Sequence, residues 1–195
     1  MTRPMLSVLI STVPRRHLMA HALFERLQHQ AEGRPVEILS LCDNKTRTIG
    51  AKRQALLDVS QGAWVSWVDD DDQVSIDYVS EIQRAIEDSQ ADVITFPIRV
   101  TLDGEQDGHV LPAMAHMPKN GEPLAEYKPP YTFRPPHELC AWRAEIARKG
   151  RFPDTNIGED FGWARQVWPY VRTEHEIPRS LYWYRFQSKL AECAK

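Results

Sequence analysis

Four consecutive carboxylates, Asp69 to Asp72, follow the apolar run "AWVSWV" at 63–68. Two carboxylates about 4 Å apart repel by roughly 4 kcal/mol at an effective dielectric of 20. A fold must therefore splay them into water, protonate one, or bind a cation between them. An apolar run that ends in such a cluster reads as a buried strand leaving the core. The carboxyl ends of sheet strands are where open α/β proteins place ligands. Two readings stand side by side: a solvated acidic turn before a helix, and a cation seat. If strand geometry persisted past residue 68, Asp69 and Asp71 would project to one side. Oxygen-only ligands suit Mg²⁺ or Mn²⁺. An EF-hand calcium loop is excluded, because counting from Asp69 puts Val74 at the required Gly and Ser80 at the closing Glu.

A second acidic pair, Glu159-Asp160 in "GED", opens a segment whose Phe161, Ala164, Val167 and Trp168 have amphipathic helical spacing. Acidic residues in a first helical turn ordinarily offset the macrodipole. Arg53 falls on the Ile49–Leu56–Leu57 face of another helical segment, where a free charge is costly. Thr12 and Asp43 close two apolar runs, at positions where turn residues are common. Trp142, Trp163 and Tyr131 offer flat faces for a sugar or base, or for the core.

The elements that must position these residues alternate through the first half. Strands are predicted at 5–11, 36–42, 63–68 and 91–100, and helices at 16–31, 48–60 and 75–89. The first helix carries Met19, Leu23 and Leu27; the third carries Ile76, Val79, Ile82 and Ile86. The order β-α-β-α-β-α-β predicts a mixed, mostly parallel Rossmann-like sheet with helices on both faces. Beyond it, "DGEQDG" at 103–108 reads as a hairpin-like turn. The Pro- and aromatic-rich stretch 112–136 has no periodicity and reads as a long loop. Helices are predicted at 140–150 and 159–168, with strand-like pieces in "YVRTEHEI" and "SLYWYRF".

Composition bounds the function. A chain of 195 residues with 42% hydrophobic content suits one well-buried domain, 1–195. Its 24 basic and 27 acidic residues give a formal charge of −3, without the broad basic face of a protein that holds nucleic acid by charge alone. The basic clusters at 15–16, 51–53 and 147–151 read as solvated faces. Cys42, Cys140 and Cys193 show neither a disulfide framework nor zinc-ligand spacing, which suits a reducing cytoplasm. No apolar run reaches membrane-spanning length, and the first seven-residue apolar run is too short for a signal sequence.

The segment "IGAKRQALLDVSQGAWVSWVDDDD" resembles the pattern Gly-x-x-x-Ala-Arg-Asn…Asp-x-Asp-Asp of glycosyltransferase family two, the nucleotide-sugar enzymes of the A-type fold. "RFPDTNIGEDFGWARQVW" resembles that family's Gly-Phe-Asp…Gly-Glu-Asp stretch, and "LYWYRFQS" its Tyr-x-Tyr-Arg…Ser segment. With the opening strand, the likeness covers most of the chain in order. Gln54 departs from the usual Asn, Asp43-Asn44 stands where Asp-Asp-Gly-Ser is common, and Phe186-Gln187 where many members have a histidine. The general look resembles small bacterial or phage-encoded members.

The resemblance implies an inverting transfer of a sugar from a UDP-sugar to an acceptor hydroxyl, assisted by Mn²⁺ or Mg²⁺. It assigns Asp69 to the ribose and metal neighbourhood, Asp71 to the metal, and Asp70 to the nucleotide. Thr12 and Asp43 meet the nucleobase, the carboxylate accepting from the imide N–H of uracil. Arg53, sixteen residues before Asp69 as in the family, stands beside the nucleotide. Asp160 is the general base and Glu159 orients the acceptor. His137 and Glu138 are weaker candidates for the donor sugar, and Arg185 for the diphosphate. The halves 1–102 and 103–195 are expected to bind nucleotide and acceptor. The acceptor is left open between a carbohydrate and a hydroxymethylated DNA base. A non-catalytic nucleotide-sugar or carbohydrate-binding domain would need neither Asp160 nor Arg53. A nucleotidyltransferase would need a Gly-rich phosphate cradle, which "STVPRR" lacks. A two-metal phosphodiesterase would need His ligands near the acidic clusters.

Overall fold

A computed structural model of the chain describes residues 3–117 and 126–187. Of the residues singled out above, Ser188 and Cys193 lie outside these. The first half contains β1 (Leu6–Thr12), α1 (His17–Ala31), β2 (Val36–Cys42), α2 (Ile49–Val59), β3 (Trp64–Trp67), β4 (Gln73–Val74), α3 (Tyr78–Ser89), β5 (Val93–Thr95) and β6 (Ile98–Leu102). The second contains β7 (Glu105–Pro112), β8 (Glu126–Lys128), β9 (Tyr131–Arg134), β10 (Ala141–Arg143), α4 (Ala144–Ala147), α5 (Glu159–Val167), β11 (Glu174–Glu176) and β12 (Tyr182–Phe186).

Two six-stranded sheets form, ordered β11-β5-β10-β3-β1-β2 and β4-β12-β6-β7-β9-β8. In the first, β1 runs parallel to both β2 and β3. Period-two alternation sends Leu6, Val8 and Ile10 of β1 into a core with Leu23 and Leu27 of α1 and Val79, Ile82 and Ile86 of α3. Leu9 points to the other face, against Leu56 and Leu57 of α2 and Trp163 and Val167 of α5. Helices thus cover both faces, as predicted. Trp67 meets Phe152 and Trp163 edge-on at ring-centroid distances of 5.2 and 5.1 Å. Trp142 and Trp163 are fully buried, so the core claims both.

Several elements differ from the sequence reading, each for a local reason. The predicted strand 91–100 is two strands in different sheets, broken at Phe96-Pro97. Pro97 has no N–H to give a ladder, and the chain changes sheet there. The predicted helix 140–150 is helical only over Ala144–Ala147. Ala141–Arg143 instead inserts antiparallel between β3 and β5. Cys140, Ala141 and Trp142 are buried in succession, and a strand covered on both faces has no alternation to reveal it. Ile76 precedes α3 and is 85% exposed, so it is not part of that helix's apolar stripe.

The second sheet was not anticipated. Its β6–β7 hairpin closes on Asp103 (φ 49°) and Gly104 (φ 96°), the paired positive φ values a mirror-image two-residue turn requires. The predicted turn 103–108 is therefore shorter, and the aperiodic stretch 112–136 contributes β8 and β9. β12 joins this sheet parallel to β6 and antiparallel to β4. No helix among the described residues is long and apolar enough to cross a membrane.

Candidate active site

The acidic run leaves the sheet directly behind β3. The Val68 amide still pairs with Leu9 at 3.0 Å, and the Asp72 amide then donates back to the Asp69 carbonyl at 3.1 Å. The run is a β-turn, so strand alternation does not reach Asp71 and each carboxylate is aimed at its own partner. Asp69 meets Arg53 Nη2 at 2.9 Å. Asp70 accepts from Thr12 Oγ1 and from Arg16 Nη1, both at 2.7 Å. Asp71 meets Arg16 Nη2 at 2.9 Å. Asp72 accepts from the Tyr182 hydroxyl at 2.7 Å and the Arg185 amide at 2.8 Å. Burial, followed by the charge of Asp69, pushes the Asp72 carboxyl up to about 8. The mutual repulsion expected from the sequence is thus relieved by arginines at Asp69, Asp70 and Asp71, while burial and Asp69 favour the neutral form of Asp72.

β12 closes the turn from behind. The Tyr182 hydroxyl accepts the Asp69 amide at 3.0 Å while donating to Asp72. The Arg185 side chain donates from Nε and Nη2 to the Asp71 carbonyl at 3.0 and 2.6 Å. Those donors serve the loop's backbone.

Arg53 links this loop to the second acidic centre. It rises from the buried face of α2 with Leu56 and Leu57, whereas Ile49 is partly exposed. Its Nη1 lies 3.0 Å from Glu159 and 3.4 Å from Glu138. Burial disfavours its charge, but Asp69, Glu138 and Glu159 outweigh that and hold it protonated. Burial also pushes the Glu138 carboxyl up, yet Arg53, His137 and Arg134 carry it down to about 2. Glu159 goes the other way: burial raises it, and repulsion from Asp160 and Glu138 adds to that against Arg53. Burial and Arg134 lower the His137 imidazole, which favours its neutral form.

The first turn of α2 is pinned to the loop that leads into α5. Thr48 Oγ1 donates to Asp154 at 2.6 Å, and the Ile49 and Gly50 amides donate to Asn156 Oδ1 and the Thr155 carbonyl, both at 3.0 Å. A Cβ on Gly50 would sit 1.8 Å from the Pro153 carbonyl oxygen, so only glycine allows this approach. Gly158, at φ 74°, turns the chain into α5 and sets Glu159 and Asp160 in its first turn.

A cavity of about 530 Å³ opens here. Arg53, Asp69, Glu138, Glu159 and Asp160 line it, together with Val110, Tyr127 and Tyr184. Asp69, Glu138 and Glu159 are each tied to Arg53. Asp160 is partly exposed, and its carboxylate makes no hydrogen bond or ion pair among the described residues. Tyr131 lies on the second sheet, stacked on His109 at 6.1 Å.

The ends of β1 and β2 make a separate corner. Asp43 accepts from Thr46 Oγ1 at 3.1 Å and lies 3.5 Å from Lys52 Nζ. Lys52 also donates to the Thr12 carbonyl at 3.0 Å. Burial would raise the Asp43 carboxyl, but Lys52 and Thr46 pull it below its ordinary range. Thr12 and Asp43 therefore meet through Lys52, and the Thr12 hydroxyl is engaged by Asp70.

Sequence reasoning missed Arg16, Lys52, Asp72 and Tyr182 as parts of this network. Arg16 was grouped with a solvated basic pair. Lys52 carried a signal, since it stands where the family pattern has Ala. Asp72 and Tyr182 are partners 110 residues apart, which no local pattern reports.

No group of three or more His, Cys, Asp or Glu side chains converges on a metal position among the described residues. Asp69 and Asp71 nonetheless fit as a partial set. Each spends one oxygen on an arginine and stays 31% and 24% exposed, respectively. Both would offer hard carboxylate oxygens of the kind that suit Mg²⁺ or Mn²⁺. Asp72 does not fit, because Tyr182 and the Arg185 amide occupy its oxygens.

The sequence model described as Glycosyl transferase family 2 matches residues 21–149, which include Arg53 and the whole acidic run. No curated protein matches the chain. Among solved structures, S. aureus TarS 1-349 in complex with UDP is similar over 93% of this chain and 60% of that one, at 13% identity and a TM-score of 0.64. The same fragment in complex with UDP-GlcNAc gives 93% and 58%, 12% identity and a TM-score of 0.61. Against a longer S. aureus TarS chain the coverage is 93% and 36%, so this chain spans about a third of that relative. At such identities the likeness speaks for the fold, the A-type fold expected from the sequence. Taken with the family match over well more than half of its length, it means that the chain belongs to glycosyl transferase family 2.

Proposed function

We propose that the chain transfers a sugar from a UDP-sugar to an acceptor hydroxyl, with inversion at the anomeric carbon. The observation that carries this reading is the state of Asp160. Of the carboxylates around the 530 Å³ cavity, Asp69, Glu138 and Glu159 are bound to Arg53, while Asp160 makes no bond among the described residues. A general base needs such an unengaged acceptor within reach of its proton. Family membership supports the reaction class, and the UDP and UDP-GlcNAc complexes of TarS support UDP as the carrier.

Asp69 and Asp71 would hold Mg²⁺ or Mn²⁺, which when bound offsets the negative charge developing on the departing diphosphate. Asp43, kept ionised by Lys52, accepts from the imide N–H of uracil, and Thr12, its hydroxyl held by Asp70, meets the same base. Arg53 fixes Asp69 and Glu159 with one guanidinium and so sets the distance between donor and acceptor centres. Asp160 takes the acceptor's hydroxyl proton as that oxygen bonds to the anomeric carbon. The bond from that carbon to the diphosphate oxygen breaks on the opposite side, and UDP leaves with the electron pair. Glu159 orients the acceptor, a carbohydrate or a hydroxymethylated base in nucleic acid. Residues 1–102 serve the nucleotide and 103–195 the acceptor, within one domain.

Asp160→Asn tests this. The variant is expected to melt as the wild type does and to bind UDP with Mn²⁺ unchanged. Transfer to a competent acceptor should fall by roughly 10² to 10⁴, the usual contribution of a positioned base. Wild-type transfer by this variant would remove Asp160 from the mechanism.

A further inference from the structure

The first loop has no glycine-rich phosphate cradle, yet it brings a cation to the nucleotide's edge. Arg16 ends the 3₁₀ turn Pro14–Arg16 behind β1. Its guanidinium spans two successive carboxylates, Nη1 at 2.7 Å from Asp70 and Nη2 at 2.9 Å from Asp71. The two contacts are unlike. Asp70 is 3% exposed and also holds Thr12, so that half is anchored. Asp71 and Arg16 are both 24% exposed, so the other half is open to exchange. Arg16 Nε has no hydrogen-bond partner among the described residues, which leaves the guanidinium a donor unspent.

Asp71 is also one of the two carboxylates that fit a divalent cation. An ion on Asp71 would stand next to the guanidinium, and two like charges so close repel. An anion bridging both cations removes that conflict, and a diphosphate has the charge and the oxygens to do so. We propose that Arg16 is a resident counter-ion of the acidic loop, which yields Asp71 to the divalent cation and turns to the donor's diphosphate. This rests on the UDP-sugar reading above. Its consequence is that cation and nucleotide bind together: the cation alone meets a competitor, and the nucleotide converts that competitor into a ligand.

Isothermal titration of wild type, Arg16→Gln and Arg16→Lys tests it, each with Mn²⁺ alone and with UDP in the presence of Mn²⁺. Arg16→Gln is expected to bind Mn²⁺ alone about threefold tighter, since an ion-pair competitor is gone. It should bind UDP with Mn²⁺ about ten- to a hundredfold weaker, having lost a charged donor to the diphosphate. Arg16→Lys keeps the charge and loses the two-pronged contact, so Mn²⁺ binding should stay near wild type while UDP weakens severalfold. It also carries the test if the glutamine variant does not fold. Variants that match wild type in both titrations overturn the proposal and leave the UDP-sugar reading intact. A glutamine variant that loses Mn²⁺ affinity as well as UDP makes Arg16 a brace of the loop only, and also overturns it. A wild type that binds no UDP with Mn²⁺ sinks both.

Discussion

Arg53 and Arg16 grip the acidic loop from opposite ends, one from α2 and the other from the turn behind β1. Each meets consecutive or neighbouring carboxylates at about the same distances, 2.9–3.4 Å for Arg53 and 2.7–2.9 Å for Arg16. Their surroundings differ. Arg53 is 5% exposed and serves three carboxylates, two of them almost as buried as itself. Arg16 is 24% exposed and shares one partner with solvent. Burial, rather than charge or distance, decides whether such a pair is a fixed strut or a placeholder another ion can take. A buried pair cannot be half removed without stranding a charge in low dielectric.

The sharpest way to break this contrast is Arg53→Met. Three carboxylates would lose their shared cation, and the variant should lose about 3–5 kcal/mol of stability, read as a drop in the urea midpoint. An unchanged midpoint would mean that Arg53 is as dispensable to the fold as a surface charge.

Acid sharpens it next. Glu138 sits at about 2 against an ordinary value of 4.5, held there by Arg53. A lowered carboxyl stabilises the fold at pH values above its unfolded value, and that contribution drains away as pH falls from about 4.5 towards 2. The amount is on the order of 3 kcal/mol. Glu138→Gln should therefore be less stable near neutrality and show a flatter acid limb in urea midpoints measured across that window. A limb parallel to wild type would detach Glu138 from the Arg53 strut.

The smallest effect belongs to Tyr182→Phe. Removing one hydroxyl leaves the Asp69 amide and one Asp72 oxygen without partners, a loss of about 1–2 kcal/mol. The Arg16 contacts do not pass through Tyr182, so Mn²⁺ titration of this variant should still show the competition expected of wild type. Loss of that competition would mean that β12, not Arg16, governs access to Asp71.

The same contrast marks how far the sequence could be read. Arg53 was legible because a charge on the Leu56–Leu57 face of an amphipathic helix demands partners, and its spacing to Asp69 matched the family. The acidic run was legible as a cluster, but the aim of each carboxylate was not. That aim depends on a turn beginning at Asp69, and nothing in "WVDDDD" marks where strand gives way to turn. The parallel core of the first sheet followed from alternation of strand and helix. β10 did not, since a doubly covered strand of three residues has the same apolar density as a helix. The second sheet stayed hidden because proline punctuates it, at Pro97 before β6, at Pro112 ending β7 and at Pro129-Pro130 between β8 and β9, and because β12 completes it from far along the chain.

That last strand gives the acidic loop a place in time as well as in space. Asp72 is nine residues from Ala63 but finds its partners, Tyr182 and Arg185, only after 110 and 113 further residues. Closing so long a loop is slow and entropically unfavourable compared with folding the neighbouring helices. Until β12 docks, Asp72 has no donor to meet, and burying it unpartnered is opposed by desolvation. Asp69, Asp70 and Asp71 find Arg53, Thr12 and Arg16 within the first half of the chain, so Asp72 alone waits for β12. The acidic turn is thus encoded early in the chain and completed late, because both donors to Asp72 lie on β12.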